Sequence, residues 1–141
     1  MIVLTKQILF SIGCAFILNT FQDLLDSRYL IEFLKNNLIT LQVALLAINS
    51  TTLSIVMNKL KDLSKDSPNL FRNTKKAMLF SIKEQITLII LAIISLMIYD
   101  SANIVTCEKA MNVLQITILT IFVLSIQVLY DTAKSIFITS E

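Results

Sequence analysis

A chain of 141 residues with 55% hydrophobic and 16% charged residues, and a mean hydropathy of +0.76, is too apolar for an ordinary soluble domain and is expected to be an integral membrane protein. Its net charge of +2, with no basic arm interleaved with aromatics, gives no electrostatic footprint for nucleic acid. Histidine is absent and there are only two cysteines, which removes the usual haem ligand, the commonest general base and most zinc sites; no metal, no cofactor and no enzymatic activity are expected.

The uncharged runs are 7–22, 36–58, 85–99 and 110–130. A helix needs about 20 mostly apolar residues to cross a bilayer core. The pattern predicts an all-α membrane domain over 1–141 with four transmembrane helices, at approximately 3–25, 36–58, 77–99 and 110–130. One glycine and one proline leave little material for strand turns or broken helices.

The first run resembles a secretory signal, and Ser11-Ile12-Gly13-Cys14 touches a lipoprotein cleavage pattern. However, Lys6 is almost the only cation before it, Ser11 stands where leucine is expected, and apolar sequence continues to Leu18, so it reads as a retained span. Cys14 is expected to be a small core residue, at a different depth from Cys107 and not bridged to it.

Between the first two spans, Phe21, Leu24, Leu25, Tyr29 and Phe33 share much of one helical face, interrupted by Asp23, Asp26, Arg28 and Glu32. Such a segment either lies along the membrane interface or extends the spans. After the second span, Lys59, Lys61, Lys65, Arg72, Lys75 and Lys76 face only Asp62 and Asp66, so 59–76 is expected to be a basic cytoplasmic loop. By the positive-inside rule both termini then lie inside, N-in/C-in. These six cations are candidate contacts for a cytosolic partner or anionic lipid.

Ser67-Pro68 fits a cap followed by proline at the first helical position, restarting a helix that enters the third span, where Lys83 and Glu84 can pair or snorkel. Tyr29, Tyr99 and Tyr130 fall near predicted span edges, and the short connection 100–109 makes spans three and four an antiparallel hairpin.

The second span carries the most information. At 100° per residue, Asn36, Asn37, Thr40, Ala44, Ala47, Ser50, Thr51, Ser54 and Asn58 fall within a sector of about 140°. Two explanations stay open for this stripe: close helix packing through small and hydroxyl residues, or a water-filled path lined by several copies. On the other side, Leu38, Leu41, Leu45, Ile48 and Val56 are expected to face lipid.

Gln42 and Asn49 form a second polar pair off the stripe, and with Thr120 and Gln127 of the fourth span they are candidates for interhelical hydrogen bonds. Thr117, Thr120, Gln127 and Asp131 share one side of that fourth span, where Thr117 or Thr120 can also bond to a carbonyl of its own helix. No carboxylate or lysine is expected deep within a span, which disfavours proton-coupled transport.

The whole plan of four spans, a polar second span and a basic central segment resembles the small four-span membrane effectors of bacterial anti-phage, abortive-infection systems. Its most characteristic segment is Gln42-Val43-Ala44-Leu45-Leu46-Ala47-Ile48-Asn49-Ser50. The resemblance implies a homo-oligomer in the bacterial inner membrane that permeabilises or depolarises it when triggered, or a non-conducting subunit that senses or recruits a cytosolic partner. A holin-like lysis protein is a third expectation, although 131–141 lacks the basic cluster such a protein would carry.

Overall fold

The computed structural model describes residues 2–63, 68–101 and 108–139, which form four α-helices: α1 (Ile2–Leu24), α2 (Tyr29–Leu63), α3 (Pro68–Tyr99) and α4 (Glu108–Thr139). Each is long and apolar enough to cross a membrane, over Thr5–Leu24, Tyr29–Asn58, Met78–Tyr99 and Lys109–Lys134. At about 1.5 Å per residue, α1 is about 34 Å long, α2 about 52 Å and the other two about 48 Å. A bilayer core is about 30 Å thick, so α2, α3 and α4 are longer than a crossing requires.

The helices run this far because little in the sequence stops them. The single proline, Pro68, is the first residue of α3, where its missing N–H is not needed. The single glycine, Gly13, lies within α1, and a Cβ there would meet nothing within 4 Å, so no close approach depends on it.

Between α1 and α2 the chain reverses through Asp26, which adopts φ 48°. Asp26 N–H donates to the Asp23 carbonyl at 3.3 Å and Ser27 N–H to the Gln22 carbonyl at 3.0 Å, the pairing that closes a helix through a left-handed residue. The Gln22 side chain then reaches forward, its Oε1 accepting from Ile31 N–H at 3.2 Å and satisfying one free donor of α2's first turn.

Of the two alternatives for the segment after the first span, residues 29–35 take the second, since they are continuous with α2. One expectation about the connections changes. The expected basic loop 59–76 is mostly helix, because α2 continues to Leu63 and α3 already begins at Pro68. No residue from Lys59 to Leu63 breaks a helix, and Pro68 starts one. The basic segment is therefore a helical hairpin that prolongs α2 and α3 at what is called here the basic end.

Packing alternates in direction. Lys35 meets Asp100 and Asn49 meets Gln85, and Gln7 meets Asp131 while Ser11 meets Gln127, so α2 and α3, and α1 and α4, are antiparallel pairs; Ser81 and Thr132 tie α3 to α4. α4 is the hub, packed on all three others, whereas α1 sits chiefly on α4.

The main core joins all four helices through Ala15, Leu34, Leu38, Leu88, Ala92 and Ile118, with alanine letting backbones approach. A smaller cluster of Leu53, Val56 and Met78 holds α2 to α3 towards the basic end. At the other end Lys35 bonds Asp100 at 3.2 Å and lies 5.2 Å from the Tyr99 ring centroid. Both partners of that ion pair are exposed, so it contributes about 1 kcal/mol at most.

Candidate functional site

The chemistry-bearing residues divide by which side of α2 they occupy. Asn36, Thr40, Ala44, Ala47, Ser50, Thr51, Ser54 and Asn58 are all exposed on the outside of the bundle, and Asn37 is half-buried. Ile31, Leu34, Leu38, Gln42, Asn49, Leu53 and Val56 are buried. On the helical wheel the two sets lie about 180° apart. Among the described residues, the stripe thus packs against no other helix.

This reverses the expectation for the apolar back of α2. Leu38 and Val56 are buried and Leu41 and Leu45 half-buried, so they face the other helices; only Ile48 among them is open, at 53%. The physical reason is that Leu38 has α3 and α4 to pack against, while small side chains offer little area to bury.

Some stripe groups are already satisfied by their own helix. Asn36 Nδ2 donates to the Glu32 carbonyl and Asn37 Nδ2 to the Phe33 carbonyl, each at 3.0 Å, and Thr51 Oγ1 donates to the Ala47 carbonyl at 2.9 Å. These bonds fix rotamers along the face, while each amide oxygen stays available outward. The neighbouring surfaces differ sharply: α1 exposes Leu9, Phe10, Phe16 and Ile17, and α3 exposes Phe80, Ile90, Ile94 and Met97.

Behind the stripe lies a buried polar layer. Asn49 Nδ2 donates to Gln85 Oε1 at 2.9 Å and to Ser81 Oγ at 3.2 Å, and Ser81 Oγ lies 3.0 Å from Thr132 Oγ1. Thr132 closes the chain by donating to the Val128 carbonyl. Three helices are thereby linked through one side chain of α2, two of α3 and one of α4. The layer is not saturated, since Asn49 Oδ1 and Gln85 Nε2 are buried without a partner. Gln42, two turns away and 1% exposed, has neither its oxygen nor its nitrogen bonded. It is buried without making the interhelical bond expected of it.

On the far side of α4, Ser11 Oγ donates to Gln127 Oε1 at 2.9 Å, and Gln7 donates to Asp131. Gln127 is thus interhelical, whereas Thr120 is corrected to an intrahelical role: its hydroxyl donates to the Ile116 carbonyl at 2.7 Å. Thr117 likewise bonds back to Val113. A helical threonine always has that carbonyl within reach, so bonding across helices requires a better-placed acceptor.

In the basic hairpin, Lys61, Arg72, Lys75 and Lys76 are exposed; Lys59 is on α2, and Lys65, Ser67 and Cys107 lie outside the described residues. Cys14 is half-buried and free, a departure from a full core position. Lys83 and Glu84, adjacent in sequence, do not pair, because neighbours on a helix point about 100° apart.

Sequence reasoning overlooked Ser81, Gln85 and Thr132, although Ser81 and Gln85 stand at helical i,i+4 spacing and signalled a polar stripe on α3. Among the described residues, no group of cysteine, aspartate and glutamate side chains could hold a metal ion. No protein family, characterised protein or solved structure matches the chain.

Proposed function

We propose that this protein is an integral membrane protein, N-in/C-in, that assembles into a homo-oligomer whose α2 stripes line a water-filled path across the bilayer. The observation that carries this is the outward direction of the stripe on a helix long and apolar enough to cross a membrane. Leaving an amide or hydroxyl without a partner in hydrocarbon costs about 2 to 7 kcal/mol, so such a face requires water or another polar face. Second copies of α2 provide both. The flanking apolar surfaces of α1 and α3 suit the lipid side.

The resemblance to small anti-phage effectors supplies the setting: a bacterial inner membrane that is depolarised or permeabilised on a signal. Liposomes containing the purified protein are expected to release a small dye. Single cysteines at Thr40, Ala47 and Ser54, in a background lacking Cys14 and Cys107, are expected to cross-link between copies. A tight bilayer together with a monomer on sizing columns would remove the proposal.

The basic hairpin favours a second, compatible role as the place where a cytosolic partner or an anionic headgroup acts. Exposed Lys75 and Lys76 lie on α3 just outside Met78–Tyr99, at the depth where a lysine near an anionic surface contributes about 1 kcal/mol. Charge reversal at both should abolish the response to anionic lipid or partner while leaving unstimulated dye release unchanged. Loss of both together would instead place these lysines in the conducting unit.

A further inference from the structure

A groove of about 340 Å³ runs between α1, α3 and α4, because α1 is seated on α4 and leaves a gap beside α3. Its wall is apolar, formed by Ile8, Phe80, Leu88, Leu91, Leu124 and Val128. The hydroxyl of Thr87, which also lines it, is committed to the Lys83 carbonyl at 2.9 Å. Along α3 the lining extends from Phe80 to Leu91, about 16 Å, which is the depth of one leaflet of hydrocarbon.

Charge is confined to the half nearer the basic end. There Lys83 and Glu84 line the groove, and Asp131, one turn beyond Gln127 on α4, is held beside its mouth by the bond from Gln7, which also lines the groove. Among the described residues neither carboxylate is in an ion pair. Asp131 takes one hydrogen bond from Gln7, which is neutral and compensates no charge. Two carboxylates outside any ion pair and one exposed lysine, side by side at the mouth of a leaflet-deep apolar groove, fit a molecule with an ammonium and a phosphate at one level and a hydrocarbon chain below them.

We propose that this groove binds a phospholipid with a primary ammonium headgroup, phosphatidylethanolamine. The ammonium sits between Glu84 and Asp131, the phosphate meets Lys83, and one acyl chain fills the groove towards Leu91. The inference rests on the membrane placement of the helices and is independent of conduction. A trimethylammonium headgroup has no N–H to donate, and an anionic headgroup without an amine leaves the carboxylates uncompensated.

The test is native mass spectrometry of the detergent-purified protein titrated with phosphatidylethanolamine, phosphatidylcholine and phosphatidylglycerol of identical chains. Ethanolamine lipid should be retained about tenfold better than either other lipid, as one or two charge-assisted hydrogen bonds predict. Glu84→Gln with Asp131→Asn should bring it down to the choline lipid's level, and Leu88→Trp should lower retention of all three by filling the groove. Glu84→Gln alone, isosteric and half-buried, gives the same readout at smaller amplitude should the double variant fail to fold. Equal retention of the three lipids, a preference for the glycerol lipid, or an unchanged preference in Glu84→Gln would overturn the proposal. So would efficient cross-linking between copies through Thr87→Cys, which would make the groove a protein interface. A bilayer that stays sealed while the ethanolamine preference holds would sink the pore and leave this site standing.

Discussion

Ser50→Leu and Ser54→Leu should each lower ion or dye flux by about tenfold or more, and the pair should leave a sealed bilayer. Both serines are on the exposed polar face of α2, where a leucine meets no neighbour in its own chain. The protomer should therefore keep its helix content and unfold no more easily than wild type. In an assembly the same change is repeated in every copy around the path, so one substitution installs a ring of isobutyl groups. Such a ring excludes water, and a hydrated ion then crosses only by giving up hydration.

Ile55→Leu is the matched control, because Ile55 is exposed beside the stripe and already apolar; its flux should stay at the wild-type level. Flux is measured in liposomes at equal protein density, with cross-linking to confirm that copies still meet. If the leucine variants conduct like wild type, the stripe does not line the path. If they instead fall apart into monomers, the stripe is packing between copies.

The second expectation concerns two amides that look alike in sequence and differ in sign. Gln42→Leu should stabilise the bundle by about 1 to 3 kcal/mol, because it removes a buried amide with no bonded atom and keeps a similar volume. Asn49→Leu should destabilise it. That change strips Gln85 Oε1 and Ser81 Oγ of a donor in a layer that already holds unpartnered atoms. Interhelical hydrogen bonds in membranes contribute about 0.6 to 2 kcal/mol each, so a loss of about 1 to 3 kcal/mol is expected. Unfolding by an ionic detergent, followed by circular dichroism, reads both. A destabilised Gln42→Leu would show that the residue has a partner within the bundle, the natural one being a bound water.

Much of the architecture could be read from where charges and breakers stand. The uncharged runs that follow Lys6, Lys35, Glu84 and Lys109 mark four helices, Pro68 marks the start of the third, Tyr29 is the first residue of α2 and Tyr99 the last of α3. The basic hairpin was misread as a loop because polarity was taken for irregularity, and polarity by itself does not break a helix.

Direction was harder. A wheel divides α2 into faces without saying which one meets α3, since in hydrocarbon either small polar residues or large apolar ones can form the seam. The decisive side chains were Gln42 and Asn49. Both are buried in the bundle and Asn49 donates to Gln85 of α3, whereas the carboxamides of Asn36 and Asn37 bond carbonyls of their own helix and are more open. Serine and threonine carry less directional information, because Thr51, Thr117 and Thr120 all satisfy themselves within their own helices.

The seating of α1 on α4 has a consequence for synthesis. Their polar contacts join residues 116 and 124 positions apart, Ser11 to Gln127 and Gln7 to Asp131. α1, synthesised before α4, therefore waits for it before acquiring its main neighbour. Until then α1 lacks that neighbour, and the wall it forms with α4 does not exist. Completion of the bundle is tied to the arrival of its hub, so a chain halted after α3 has the α2–α3 pair, joined by Asn49 and Gln85, but no seat for α1.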